Sequence, residues 1–101
     1  MNYLKEYGLN DNQINNIREH FIKEDGNNDI FEYSVKKVRT ILDLFQSIGV
    51  KNLYDVIITG SDMFFDPIDS VIRRVEKYPD KKELAKLINE DVYNLRLVDL
   101  L

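Results

Sequence analysis

The sequence predicts an all-α domain of stacked helix-turn-helix repeats, about three units in one small solenoid-like or orthogonal arrangement. Three observations carry that prediction. Apolar residues recur at intervals of three and four, the gaps between those runs hold helix start and stop residues, and one short pattern returns three times. No segment alternates apolar and polar residues for long enough to demand a sheet. The β-branched run Val56-Ile57-Ile58-Thr59 is the one place for a short strand, and its flanks follow the helical grammar.

Asn10 stands three residues before Gln13, the spacing of a reciprocal cap. Ile14, Ile17 and Phe21 then recur at helical intervals until Gly26, predicting a helix over residues 11 to 24. Ser34 opens the clearest helix. Its stripe of Val35, Val38, Ile41, Leu42, Phe45 and Ile48 ends at Gly49 and leaves Lys36, Lys37, Arg39 and Asp43 for water. Leu53, Val56, Ile57 and Ile58 start near Asn52 and stop at Gly60, where a left-handed C-cap is expected.

Asp66-Pro67 predicts an N-cap acceptor just before a proline at the first helical position. Ile68, Val71, Ile72 and Val75 form the buried stripe that follows, and Tyr78-Pro79 ends it. Asp80 with Glu83 makes another cap-like pair opening Leu84, Leu87 and Ile88. The last helix is expected to begin near Asn94 and to run through Leu97 and Leu100.

The returning pattern is Asp, an aliphatic residue, an aromatic, then apolar residues six and nine positions after the Asp. It occurs as Asp29-Ile30-Phe31 with Val35 and Val38, as Asp62-Met63-Phe64 with Ile68 and Val71, and as Asp91-Val92-Tyr93 with Leu97 and Leu100. Periods of about 30 residues mark arrays in which each unit buries its apolar face against its neighbours. An aromatic at one place in every unit is expected to fill the gap between units as core rather than to stack on bases.

The phrase Val38, Leu42, Phe45, Ile48-Gly49-Val50, Leu53, Val56-Ile57, then Asp62-Met63-Phe64 and Ile68-Asp69-Ser70-Val71 resembles the repeat of the mitochondrial transcription termination factor (mTERF) family. In that family a helix ends at a glycine after an apolar pair, a second helix follows, and a short helical turn begins the next unit. The turn proline typical of the family is absent at Asn28, Ser61 and Glu90, and this chain is shorter and acidic where the family presents a basic groove. The resemblance therefore implies architecture more than nucleic-acid function.

With 101 residues, 44% hydrophobic and 32% charged, the chain suits a single domain over residues 1–101 with one core. A net charge of −4 argues against a surface that binds phosphate throughout. Cysteine is absent, which excludes disulfides, thiol nucleophiles and thiolate metal sites. The run Met1-Asn2-Tyr3-Leu4-Lys5-Glu6 lacks the apolar centre of a signal peptide, and no stretch approaches the length of a membrane span, so a cytoplasmic location without membrane contact is expected.

Catalysis needs a nucleophile or a titratable pair in a pocket. His20, the one histidine, lies between Glu19 and Phe21 and reads as a half-exposed surface residue. The carboxylates of Asp66 and Asp80 are explained as caps. The loop Glu24-Asp25-Gly26-Asn27-Asn28-Asp29 crowds oxygen ligands but lacks the alternating order and the distant bidentate Glu of a calcium site, so a solvated turn is expected. No catalytic residue, metal or cofactor is expected.

The expected function is a non-enzymatic helical interaction module for a protein partner or for a homodimer. Its candidate interface is Leu97, Leu100 and Leu101, where the final unit shows an apolar face. The alternative is nucleic-acid binding through Arg73, Arg74, Lys77, Lys81, Lys82 and Lys86, a basic stretch spanning the turn at Pro79. The same stretch also reads as a solvated face with ion pairs around Glu83, and Lys36, Lys37 and Arg39 form a smaller patch.

Overall fold

A computed structural model describes residues 1–25 and 30–101, the side chains of 22–25 excepted. The reciprocal cap forms as its spacing requires: the Asn10 N–H donates to Gln13 Oε1 at 3.0 Å, and the Gln13 N–H to Asn10 Oδ1 at 2.9 Å. Helix α1 (Asp11–Asp25) follows and buries Ile14, Ile17 and Phe21. After it come α2 (Ile30–Tyr33), α3 (Val35–Ile48), α4 (Leu53–Thr59), α5 (Ile68–Glu76) and α6 (Lys81–Glu90). Three-ten segments occupy Asn2–Tyr7, Ser61–Phe65 and Val92–Val98. No strand forms among the described residues, so the β-branched run of α4 is helical. The oxygen-rich loop at 26–29 lies outside the described residues, and with it the Asp of the first triplet.

Helix α3 is the centre of the domain. Its stripe of Val38, Ile41, Leu42 and Phe45 is buried, and it packs against α2, α4, α5 and α6. It stops at Gly49, whose φ of 111° lies in the left-handed region that a Cβ disfavours. The Gly49 N–H reaches the Gln46 carbonyl at 3.1 Å, and the Val50 N–H reaches Phe45 O at 3.0 Å. These bonds satisfy carbonyls that a helix end leaves unpaired.

Gly60 behaves differently from the left-handed cap expected there. Its φ is −100°, a conformation open to any residue. What excludes a side chain is space: a Cβ at Gly60 would lie 2.5 Å from Met63 Cε, 3.0 Å from Leu95 Cδ1 and 3.1 Å from the Val56 carbonyl oxygen. The glycine lets the second and third three-ten segments close over the end of α4.

Of the two expected acidic caps, Asp80 takes the form foreseen and Asp66 does not, while Asp91 supplies a cap where none was expected. Asp80 accepts from the Glu83 N–H at 3.1 Å and opens α6. Asp91 accepts from the Tyr93 N–H at 3.0 Å, so the last helical segment starts there, earlier than Asn94, and stays three-ten to Val98. The Asn94 amide instead donates to Leu87 O at 2.8 Å and closes the end of α6. Asp66 is not a cap. Pro67 takes the N-cap position of α5, and the Asp66 carboxylate accepts from Arg74 at 3.2 Å, an ion pair that draws it away from the helix start.

The three triplets diverge. Phe31 and Phe64 are fully buried with ring centroids 5.4 Å apart, and Phe21 packs on both, at 4.7 Å and 6.3 Å. Tyr93, expected in the core with them, is 59% exposed. The apolar residue nine positions after the Asp is buried in each case, as Val38, Val71 and Leu100.

An additional brace comes from the first residues, where the sequence suggested no element. The Asn2–Tyr7 segment buries Leu4 and is tied to α2 and α3 by side chains. Tyr3 OH donates to Phe31 O at 2.7 Å, Tyr7 OH to Asp43 Oδ1 at 2.8 Å, and Arg39 to Glu6 at 2.5 Å. Arg39 also lies 5.1 Å from the Tyr3 ring centroid. Partial burial, with the Asp43 carboxylate beside it, raises the Tyr7 phenol pKa above its ordinary value.

Candidate interaction surfaces

The basic stretch divides once it is folded. Helix α5 places Arg73 and Arg74 in its last turn, Lys77 follows as its C-cap, and α6 carries Lys81, Lys82 and Lys86. Arg74 turns inward, donating to Asp66 and, at 3.1 Å, to the backbone oxygen of Asp99. It fastens α5 to the turn after the last segment, where Asp99 itself adopts a left-handed φ of 58°. Lys81 reaches back to the carbonyl oxygens of Glu76, at 2.9 Å, and Tyr78. Its ammonium thus satisfies acceptors at the exposed end of α5. Arg73, Lys77, Lys82 and Lys86 remain exposed. Among the described residues Glu83 makes no ion pair with its lysine neighbours.

Lys82 and Lys86 stand four residues apart on α6 and line a shallow depression of about 530 Å³ shared with the end of α3. Its other lining residues are Ile48, Gly49, Lys51, Ala85, Asn89 and Glu90. Asn89 holds its walls together: the amide donates to Gly49 O at 3.0 Å and accepts from the Lys51 N–H at 2.7 Å. Asn52 adds a bond from its amide to Ile88 O at 2.9 Å. Lys51 is the cation that reading along the chain does not associate with this stretch, because its neighbours in space are more than thirty positions away. In the smaller patch, Arg39 is engaged by Glu6 and the Tyr3 ring.

The C-terminal leucines also separate. Leu100 is 4% exposed and belongs to the core with Leu95 and Val98, so it is no surface residue. Leu97 is 46% exposed and Leu101 52% exposed. The segment that carries Tyr93 and Leu97 is anchored by Leu95 and Val98 and packs on α4 and α6. Leu101 borders a cavity of about 170 Å³ with Gly60, Met63, Asp66, Arg74 and Asp99 among its walls.

Among the described residues no group of three or more His, Asp or Glu side chains is placed to hold a metal ion. His20 is half-buried and packs edge-on at 5.4 Å to Phe21. No helix among the described residues is long and apolar enough to cross a membrane. Comparison with family models, with characterised proteins and with solved structures finds no match for this chain.

Proposed function

We propose that this chain is a non-enzymatic helical interaction module that binds a protein partner, a second copy of itself included. The observation that carries the reading is the exposure of Tyr93, Leu97 and Leu101 around a segment whose Leu95, Val98 and Leu100 are core. Large apolar side chains held out from an anchored backbone are what a partner surface covers, and aromatic and aliphatic anchors dominate such contacts.

The candidate acid-base groups hold structure instead: Asp66 pairs with Arg74, and Asp80 and Asp91 cap helical segments. A stacked architecture of about three helix-turn-helix units, like that of the mTERF family, fits the contact of Phe31 with Phe64 and the packing of α3 on α5. A nucleic-acid partner would be met by Arg73, Lys77, Lys82 and Lys86, since Arg74 and Lys81 already serve the fold.

Light scattering on the purified chain and on Leu97→Asp tests the reading. The expected result is concentration-dependent dimerisation of the parent and a folded monomer for the variant, with the melting temperature of the monomer unchanged. A parent that stays monomeric at the highest attainable concentration removes the second copy as partner. A variant that unfolds places Leu97 in the core and sinks the proposal.

A further inference from the structure

The depression between α3 and α6 concentrates positive charge on a chain whose net charge is −4. Several cations elsewhere are engaged: Lys5 pairs with Asp11, Arg39 with Glu6 and Arg74 with Asp66, while Lys81 binds carbonyl oxygens. Lys36, Arg73, Lys77 and Arg96 are exposed without an ion pair among the described residues but do not line this depression. Lys51, Lys82 and Lys86 are exposed and make no ion pair among the described residues, yet all three border this one depression. Between them lies a floor of Ile48, Gly49 and Ala85. The floor stays low because Gly49 has no side chain and Ala85 offers only a methyl. A Cβ on Gly49 would sit 3.5 Å from that methyl and, at a φ of 111°, would be strained as well. The Asn89 bridges fix the walls before any ligand arrives, which limits the ordering that binding would require.

We propose that this groove binds an acidic polypeptide segment, seating one apolar side chain on Ile48 and Ala85 and placing carboxylates against Lys51, Lys82 and Lys86. The proposal deepens the interaction-module reading, on which it rests, by naming a second surface and the chemistry of its partner. Charge complementarity selects the acidic residues, and Glu90 on the rim disfavours a partner that is acidic at every position. The aliphatic floor selects an apolar anchor. It presents no aromatic ring on which a nucleic-acid base would stack, so a peptide fits better than a single strand.

Calorimetric titration of the full chain tests this with three probes: a peptide of Asp and Glu flanking one central Leu, the same peptide with Ser for Leu, and a single-stranded oligonucleotide of matched charge. The expected result is saturable binding of the leucine peptide, weakened about tenfold by Lys82→Glu with Lys86→Glu and weakened again when Ser replaces Leu. Reversing Arg73 and Lys77 to Glu, the same change of charge on α5, should leave affinity within about twofold. All these side chains are exposed, and unchanged melting temperatures establish that both variants fold.

Equal losses from the two double variants would reduce the effect to net charge and overturn the groove. No binding of the leucine peptide, or tighter binding of the oligonucleotide, would overturn it too. Dimerisation through Leu97 without peptide binding refutes the groove alone and leaves the module reading intact. Peptide binding that follows the lysines in the Leu97→Asp monomer supports the groove independently of the other surface.

Discussion

Phe64 and Tyr93 hold the same place in one sequence pattern and end in opposite environments. Phe64 meets Phe31 and Phe21, rings contributed by α2 and α1, and is sealed from water. Tyr93 follows α6 and stands mostly in solvent, although Leu95, Val98 and Leu100 around it are core. The pattern therefore encodes a turn and an anchored backbone, while burial of the aromatic depends on whether other elements arrive to cover it. A repeated motif specifies what a residue is able to pack against, and its neighbours decide whether it does.

The largest test of that contrast is Phe64→Ala. Removing a fully buried ring from a cluster of three phenylalanines should destabilise the fold by about 3–5 kcal/mol, measured by chemical denaturation. A loss no larger than that of an exposed site would mean the cluster is not the core.

Gly60→Ala probes the junction where the second and third segments meet. The added methyl would press on Met63, Leu95 and the Val56 carbonyl, so a loss of about 1–3 kcal/mol is expected. Shortening Met63 in the same chain should recover part of it, because the closest contact is with the end of that flexible side chain. Failure of that rescue would locate the strain in the backbone contact instead.

The smallest effect is predicted for Tyr93→Ala, within about 0.5 kcal/mol in thermal or chemical unfolding of the monomer. A loss as large as that of Phe64→Ala would erase the distinction between the two sites. A stable variant that no longer associates would sharpen it, by making Tyr93 a contact residue.

Much of the helical framework was legible in the sequence. The Asn10 and Gln13 pair, the stripe of α3, the stop at Gly49, the span of α4 and the Asp80 cap all depend on residues within about one turn of one another. The misreadings share a cause. Asp66 looked like an N-cap because its local context fits one, but Arg74, eight residues later, claims its carboxylate. Gly60 looked like a left-handed stop because a glycine follows a helix, whereas its missing Cβ answers crowding from Met63 nearby and from Leu95 in a distant segment.

The candidate surfaces were less legible than the fold. The sequence presents six cations as one stretch, but Arg74 and Lys81 are drawn into internal bonds. Lys51 joins Lys82 and Lys86 because α3 packs on α6 and Asn89 and Asn52 tie α6 to the turn after α3. Leu97 and Leu100 share a spacing that suits one helical face, yet the three-ten course to Val98 and the left-handed Asp99 turn one outward and the other into the core.

What the sequence determined by itself was where most of the longer helices start and stop and which stripes are apolar, since caps and periodicity act over a few residues. The tertiary structure alone decided that the first residues brace α3, that Phe64 is sealed while Tyr93 is open, and that three lysines ring one groove. Those outcomes rest on partners far apart in the chain, such as Tyr3 with Phe31, Phe21 with Phe64 and Asn89 with Gly49. Local pattern carries no record of such pairs, because they form only when packing of the apolar stripes brings distant segments together.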